Sequence, residues 1–383
     1  MISDGVLSLV RCPACHATLA GDPASLQCTS CGRTYGGGSK DFLDLRPHET
    51  FAERTKYLDE ALHADARYER VSPPLLGSKI RNDMLRAFLQ PEAEDTVVDL
   101  GCGSGRALLW NRDWRARVVG IDISPFFAQE ARSDVDLLLG DLRRLPFADS
   151  TFTKAYSLDV LEHLSPEALA GMLREAARVI KPGGLLFVYT HVRKNAAIAR
   201  GLRAINALAR QLERMGLIDM RQERLRKSDH LNPLADIPDL RRVAADAGFR
   251  IRKIRYYTPI VGGFVENILM RLAEKRLADR ARSDADRERG AGCAGRAGEA
   301  GAERAADAMT EEDALKAARA EGKKRVAESR STRAVLRALT LAMKLDLLLF
   351  GRIESGPFFA LLERTPSLRP PPSTLQPPPS TLQ

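Results

Sequence analysis

Three features of this 383-residue chain predict an α/β fold built on a doubly wound, mostly parallel sheet. The first is Thr96–Leu100, a short β-branched run of the kind that forms a strand buried on both faces. It carries Asp99 inside otherwise apolar sequence, where a carboxylate is costly unless it has partners. The second is the turn Gly101-Cys102-Gly103-Ser104-Gly105, followed by Ala107, Leu108 and Leu109, which suit a helix. Glycines directly after a strand let the backbone turn tightly and approach a ligand that a side chain would block. The third is a second strand, Val118–Ser124, with Asp122 at its tip, 17 residues past Gly105. Nucleotide-binding α/β folds place there a carboxylate that accepts from ribose hydroxyls.

On these residues the sequence resembles the class I S-adenosylmethionine-dependent methyltransferases of the type-11 kind. Their glycine loop has the form Asp99-Leu100-Gly101-Cys102-Gly103-Ser104-Gly105 rather than the dinucleotide G-x-G-x-x-G, whose third glycine falls one residue later. Further matches come in order. Leu137–Leu142 with Leu145-Pro146-Phe147 looks like the third strand and its adenine-contacting acid. Phe152–Asp159 with Val160-Leu161-Glu162-His163-Leu164 looks like the fourth strand and the start of its helix. Leu173–Ile180, Lys181-Pro182-Gly183-Gly184 and Leu185–Thr190 look like a helix, a turn and the fifth strand. The resemblance covers roughly 80–260, plus a last strand near 357–363, and implies a Rossmann-like sheet with S-adenosylmethionine as cofactor. It assigns Asp99, Gly101, Gly103 and Gly105 to the methionine end of that cofactor, Asp122 to the ribose and Asp141 to the adenine. Cys102, Ile123, Leu142 and Ser157 fall at the same strand ends and complete the expected set.

Residues 1–46 read as a separate small unit. Cys12-Pro13-Ala14-Cys15 and Cys28-Thr29-Ser30-Cys31 can each turn two thiolates toward one metal, and four thiolates complete a tetrahedral zinc site. So short a unit buries little core, so metal binding supplies much of its folding free energy. The pattern resembles the zinc ribbons at the front of some bacterial methyltransferases, with 41–47 as closing strand. Four protein ligands leave no open position, so this zinc is expected to be structural.

Residues 47–90 read as a helical linker or lid broken at Pro73-Pro74, with Tyr57 and Tyr68 either lid residues or ordinary packing aromatics. The core with its acceptor cap is expected over 91–280. Within it, 195–227 shows Ile198, Leu202, Ile205, Leu208, Leu212 and Met215 at helical spacing, with Arg200, Arg203, Arg210 and Arg214 on other faces. Such a helix packs on the domain or lies on an anionic membrane. Asp236–Ala247 reads as a helix capped by Gly248, and Phe249–Tyr257 as the sixth strand. From 281 to 333 the composition shifts to Ala, Arg, Glu, Asp and Gly, suggesting a mobile insert with a solvated helix at Thr310–Ala327. Residues 334–366 supply a C-terminal helix and the last strand. The tail at 367–383 repeats Pro-Pro-Pro-Ser-Thr-Leu-Gln and reads as disordered.

The net charge of +9 is uneven. Residues 193–255 hold 16 basic and 7 acidic side chains, whereas 1–190 hold 22 and 26. A basic field near a cleft favours anionic substrates, nucleic acid or anionic lipid; solvated helix faces give the same count. No run of 18 apolar residues suits a membrane span. With no signal pattern before Cys12, and cysteines read as ligands in a reducing compartment, a cytoplasmic location is expected, peripheral at the inner membrane surface if the basic segment meets lipid.

Methyl transfer to a hydroxyl or amine needs a proton acceptor. His191, His163, His230 and Asp159 are the candidates, and histidine is best tuned to that task near neutral pH. Three functions remain open: methylation of a small-molecule or lipid-like acceptor at oxygen or carbon, an RNA methyltransferase of the rRNA guanine type, and a non-catalytic cofactor-binding scaffold. No aromatic-rich base-stacking platform supports RNA.

Overall fold

A computed structural model describes residues 2–36, 41–46, 71–193, 199–220, 230–257, 259–293, 322 and 329–366. Tyr57, Tyr68 and the tail at 367–383 lie outside the described residues, as do the Thr310–Ala327 helix except residue 322 and most of the 281–333 segment.

The main sheet has eight strands. In chain order they are β4 (Leu43–Asp44), β5 (Thr96–Leu100), β6 (Arg117–Asp122), β7 (Asp136–Leu139), β8 (Phe152–Leu158), β9 (Ile180–His191), β10 (Phe249–Tyr256) and β11 (Pro357–Arg364). Their spatial order is β10-β11-β9-β8-β5-β6-β7-β4. The strands from β4 to β9 run parallel, whereas β11 lies antiparallel to both β9 and β10. The expected doubly wound sheet is therefore present, with the last strand inserted between the fifth and sixth.

Alternation along each strand sends neighbouring side chains into different cores. Val98, Ala155, Leu186, Val188 and Ala360 enter one, together with Leu169, Met172 and Leu173 of the helix Pro166–Val179. Val97, Tyr156, Phe187, Tyr189 and Phe359 enter another, under Ile80, Leu85 and Phe88 of the helix Leu76–Leu89. The helix Arg330–Phe350 packs beside Leu76–Leu89 through Met343. Helices on both faces of the central strands explain why those strands read as continuous apolar runs.

Three features refine the sequence reading. The N-terminal unit does not stand off from the main sheet. Its small sheet, β1 (Leu19–Asp22), β2 (Ser25–Cys28) and β3 (Thr34–Tyr35), stands alone. Its closing strand β4 instead pairs with β7, Leu43 beside Leu138, and Val10 bridges to Phe147. Val6, Val10, Leu26, Leu43 and Leu45 are buried in the same core as Val119 and Leu138. A unit of 46 residues cannot bury these side chains internally, and the open edge of β7 offers both hydrogen bonds and apolar surface. Nor does the structure break at 281: one helix runs Met270–Cys293. Ala, Arg and Glu are good helix formers wherever they stand, so the change in composition does not end the helix. Finally, Lys181–Gly184 lies within β9 as an irregularity of register rather than as a turn between elements.

Candidate functional site

The glycine loop leaves β5 and turns over the tips of β5 and β6. The N–H groups of Gly101 and Cys102 both donate to the Ile121 carbonyl, at 2.9 and 3.1 Å. Gly101 has φ +84°, and a Cβ there would meet Val160 Cγ2 at 2.4 Å. Gly103 differs: a Cβ at that position would have nothing within 4 Å, so the bare backbone borders open space. Its N–H donates to Asp122 Oδ2 at 2.7 Å, while the N–H of Ser124 donates to Oδ1 at 2.8 Å. Burial raises the Asp122 carboxyl above its ordinary value despite these donors. Asp99 is 2% exposed, and burial, with the nearby charge of Asp122, holds its carboxyl well above the usual range.

Above these strand ends lies a cavity of about 470 Å³. Asp99, Gly101, Cys102, Gly103, Asp122, Ile123, Asp141 and Leu142 form its sheet side; Ser78, Arg81, Asn82, Trp110 and Phe126 come from surrounding helices and loops; Asp159 and His163 lie along its further edge. Asp141 is gripped by its neighbour Arg143, whose guanidinium lies 3.0 Å from Oδ2. Four expected residues are not on the wall. Gly105, at φ +81°, caps the helix Arg106–Trp110, and a Cβ there would strike Ala131. Ser157 is fully buried and donates to the Leu100 carbonyl at 2.7 Å, so it braces two strands. His191 and His230 stand beside Glu162, off the wall. Cys102 is buried and its thiol is raised well above the ordinary value by burial, in keeping with a packing role.

Arg81, Trp110 and Phe126 carry no sequence signal. Whether a side chain on a covering helix meets the sheet's ligand end depends on packing between distant segments. Arg81 lies 3.4 Å from Asp159 and places its guanidinium 5.3 Å from the centre of the Tyr189 ring. Burial works against the Arg81 charge, but Asp159 outweighs it and holds the guanidinium firmly protonated. Asp159 itself has φ +56° and donates its N–H to the Tyr189 carbonyl.

The candidate bases converge beside this edge. Glu162, 1% exposed, accepts at Oε2 from Thr190 Oγ1 at 2.9 Å. His191 Nε2 stands 3.7 Å from Glu162 Oε1. The rings of His163 and His230 meet edge to face at 4.6 Å, and His230 lies 5.5 Å from His191. Burial pushes the Glu162 carboxyl up to about 8, with the charge of Asp159 adding to the shift. Four residues picked singly from the sequence thus surround a glutamate that the sequence did not single out.

At the N-terminus the four cysteines come together, Cys12 Sγ 3.7 Å from Cys31 Sγ and Cys15 Sγ 3.4 Å from Cys28 Sγ. Thiolates at about 2.3 Å from a tetrahedral zinc stand roughly 3.8 Å apart, so the donor set fits. The N–H groups of Ser30 and Cys31 both point at Cys28 Sγ.

Residues 98–188 match the family model described as a methyltransferase domain. Over 170 residues the chain is 34% identical to a sterol 4-C-methyltransferase of Caenorhabditis elegans, covering 40% of this chain and 49% of that protein. It is 42% identical over 104 residues to a demethylmenaquinone methyltransferase of Corynebacterium kroppenstedtii, covering 27% and 44%. The chain thus spans about half the length of these relatives or less. Among solved structures, phosphoethanolamine N-methyltransferase 2 of Haemonchus contortus in complex with S-adenosyl-L-methionine aligns over 87% of this chain and 62% of its own, at 15% identity and a TM-score of 0.44.

Proposed function

We propose that this chain, which carries an S-adenosylmethionine-dependent methyltransferase domain over residues 98–188, transfers a methyl group to oxygen or carbon of a small-molecule or lipid-like acceptor. The observation that carries this reading is one cavity lined by two unlike sets of residues: Asp99, Asp122, Asp141 and the bare backbone of Gly103, and with them Arg81, Asp159 and His163. The open space at Gly103 and the carboxylate of Asp122 fit a nucleoside with hydroxyls to donate, and Asp141 suits its exocyclic amine. When bound, the cofactor supplies an electrophilic methyl on a good leaving group. The chain's own work is therefore to hold, orient and desolvate. Arg81 orients the acceptor, Trp110 and Phe126 keep water out, and Asp159 takes the acceptor's proton where one is lost.

A lipid-like acceptor draws support from two outer helices. Arg203, Arg210 and Arg214 are exposed on Ala199–Arg214, and Leu341, Leu345, Leu348 and Leu349 are exposed on Arg330–Phe350. The short helix Pro259–Phe264 packs against both. Part of the predicted stripe is nonetheless used internally, since Ile205 and Leu212 pack with Ala209 against Ile268 and Leu272. Basic and apolar side chains together suit an anionic bilayer surface. Among the described residues no helix is long and apolar enough to cross a membrane. We further propose that Cys12, Cys15, Cys28 and Cys31 hold one structural zinc.

The test is calorimetry with S-adenosylmethionine, followed by incubation of the labelled cofactor with lipid and small-molecule fractions. Binding with label in an extractable product supports the reading. No binding, or label only in RNA, overturns it.

A further inference from the structure

Glu162, His163 and His230 each present one ligand atom, and the three atoms lie within 4.8 Å of one another. We propose that they form a second metal site, distinct from the four cysteines, that takes a divalent transition-metal ion such as zinc.

Three features of the arrangement support this. Two imidazoles and one carboxylate on a single face are a donor set suited to zinc or iron rather than to calcium or magnesium. The carboxylate is prepared as a ligand: Thr190 Oγ1 fixes Glu162 Oε2, so the group's orientation is set by a partner outside the trio. The loop that brings His230 is tied to the same place, because the N–H of Asn232 donates to the Glu162 carbonyl at 2.9 Å. Ligands about 2.1 Å from one ion stand roughly 3–3.5 Å apart, so the side chains need to close by about 1–1.5 Å. His191 Nε2, 3.7 Å from Glu162 Oε1, is placed to orient the carboxylate.

Three protein ligands leave a position open, unlike the cysteine site. His163 also lines the cavity, so the site borders it. An ion there would bind an anionic oxygen of the acceptor. That role rests on the methyl-transfer reading, whereas ion binding itself does not.

The full chain, stripped with chelator and re-equilibrated with excess Zn2+, is gel-filtered and its zinc measured. Wild type should retain two equivalents, and Glu162→Gln, His163→Ala and His230→Ala one each. Cys28→Ser should also lose one, but from the other site. Cobalt substitution separates the two, since only the cysteine site gives thiolate-to-cobalt charge transfer. His230→Ala alters a partly exposed loop residue and keeps the test decisive should Glu162→Gln misfold. A wild type that holds one zinc, or a His230→Ala chain that still holds two, overturns the proposal. Intact S-adenosylmethionine binding in that case leaves the methyltransferase reading standing.

Discussion

The backbone N–H of Gly103 reaches the carboxylate of Asp122 across 2.7 Å, joining the glycine loop to the tip of the neighbouring strand. Asp122 therefore braces the loop at the wall of the cavity that Gly103 borders, and on the proposed function it also holds the cofactor's ribose.

Asp122→Ala should accordingly weaken S-adenosylmethionine binding at least tenfold, since hydrogen bonds to a charged group contribute about 1.5–3 kcal/mol. Asp122→Asn, which still accepts from one amide, should lose less. Calorimetry on both variants checks the order, and equal affinity in wild type and Asp122→Ala removes the ribose assignment.

Gly101→Ala tests the loop from the other side. A left-handed conformation costs an L-residue about 1–2 kcal/mol, and the new Cβ would lie 2.4 Å from Val160 Cγ2. Cofactor binding should fall sharply and the melting temperature with it. Adding Val160→Ala should restore part of the loss, and no recovery in the double variant would show that backbone strain alone is responsible.

The loop and its acids were legible because each obeys a local rule: a buried strand must be apolar, a turn over a ligand needs glycine, and an acid at a strand tip faces the ligand. Thr96–Leu100 appears as an element with its predicted ends. Ser157 misled because position along a strand gives the strand end but not the face, and its hydroxyl turns into the sheet toward Leu100. Glu162 went unnoticed beside His163, since a lone glutamate in a helix-like run reads as a solvated charge. Its burial comes from Thr190 and Asn232, far away in sequence. Arg81 and the pairing of Leu43 with Leu138 share this character, being decided by long-range packing.

A pH dependence follows from Asp95. Burial alone would raise its carboxyl, but the Glu92 N–H, Lys154 and the Thr153 hydroxyl outweigh burial and hold it below its ordinary value. A carboxyl lowered on folding contributes stability above the unfolded value, about 3.9, and loses it as pH falls through the folded one. Asp95→Asn should therefore be less stable than wild type near neutral pH, with the gap narrowing as pH drops below about 4. Chemical denaturation at several pH values measures this; a gap independent of pH contradicts it.

The zinc prediction takes its form from the shared core. Had residues 1–46 been a module apart, loss of metal would unfold them and leave the rest untouched. Instead Val10, Leu43 and Leu45 are buried with Val119 and Leu138, β4 extends the edge of β7, and the Asp136 carboxylate accepts from the Ser3 N–H. Metal binding to a site preorganised by folding is folding free energy, and here it reaches the whole sheet. Cys28→Ser should lose the ribbon's zinc and lower the melting temperature of the chain's main transition, with S-adenosylmethionine affinity reduced because β7 leads to Asp141. Scanning calorimetry with elemental analysis decides it. A zinc-free variant whose main transition and cofactor affinity match wild type would show that the ribbon docks on the sheet without supporting it.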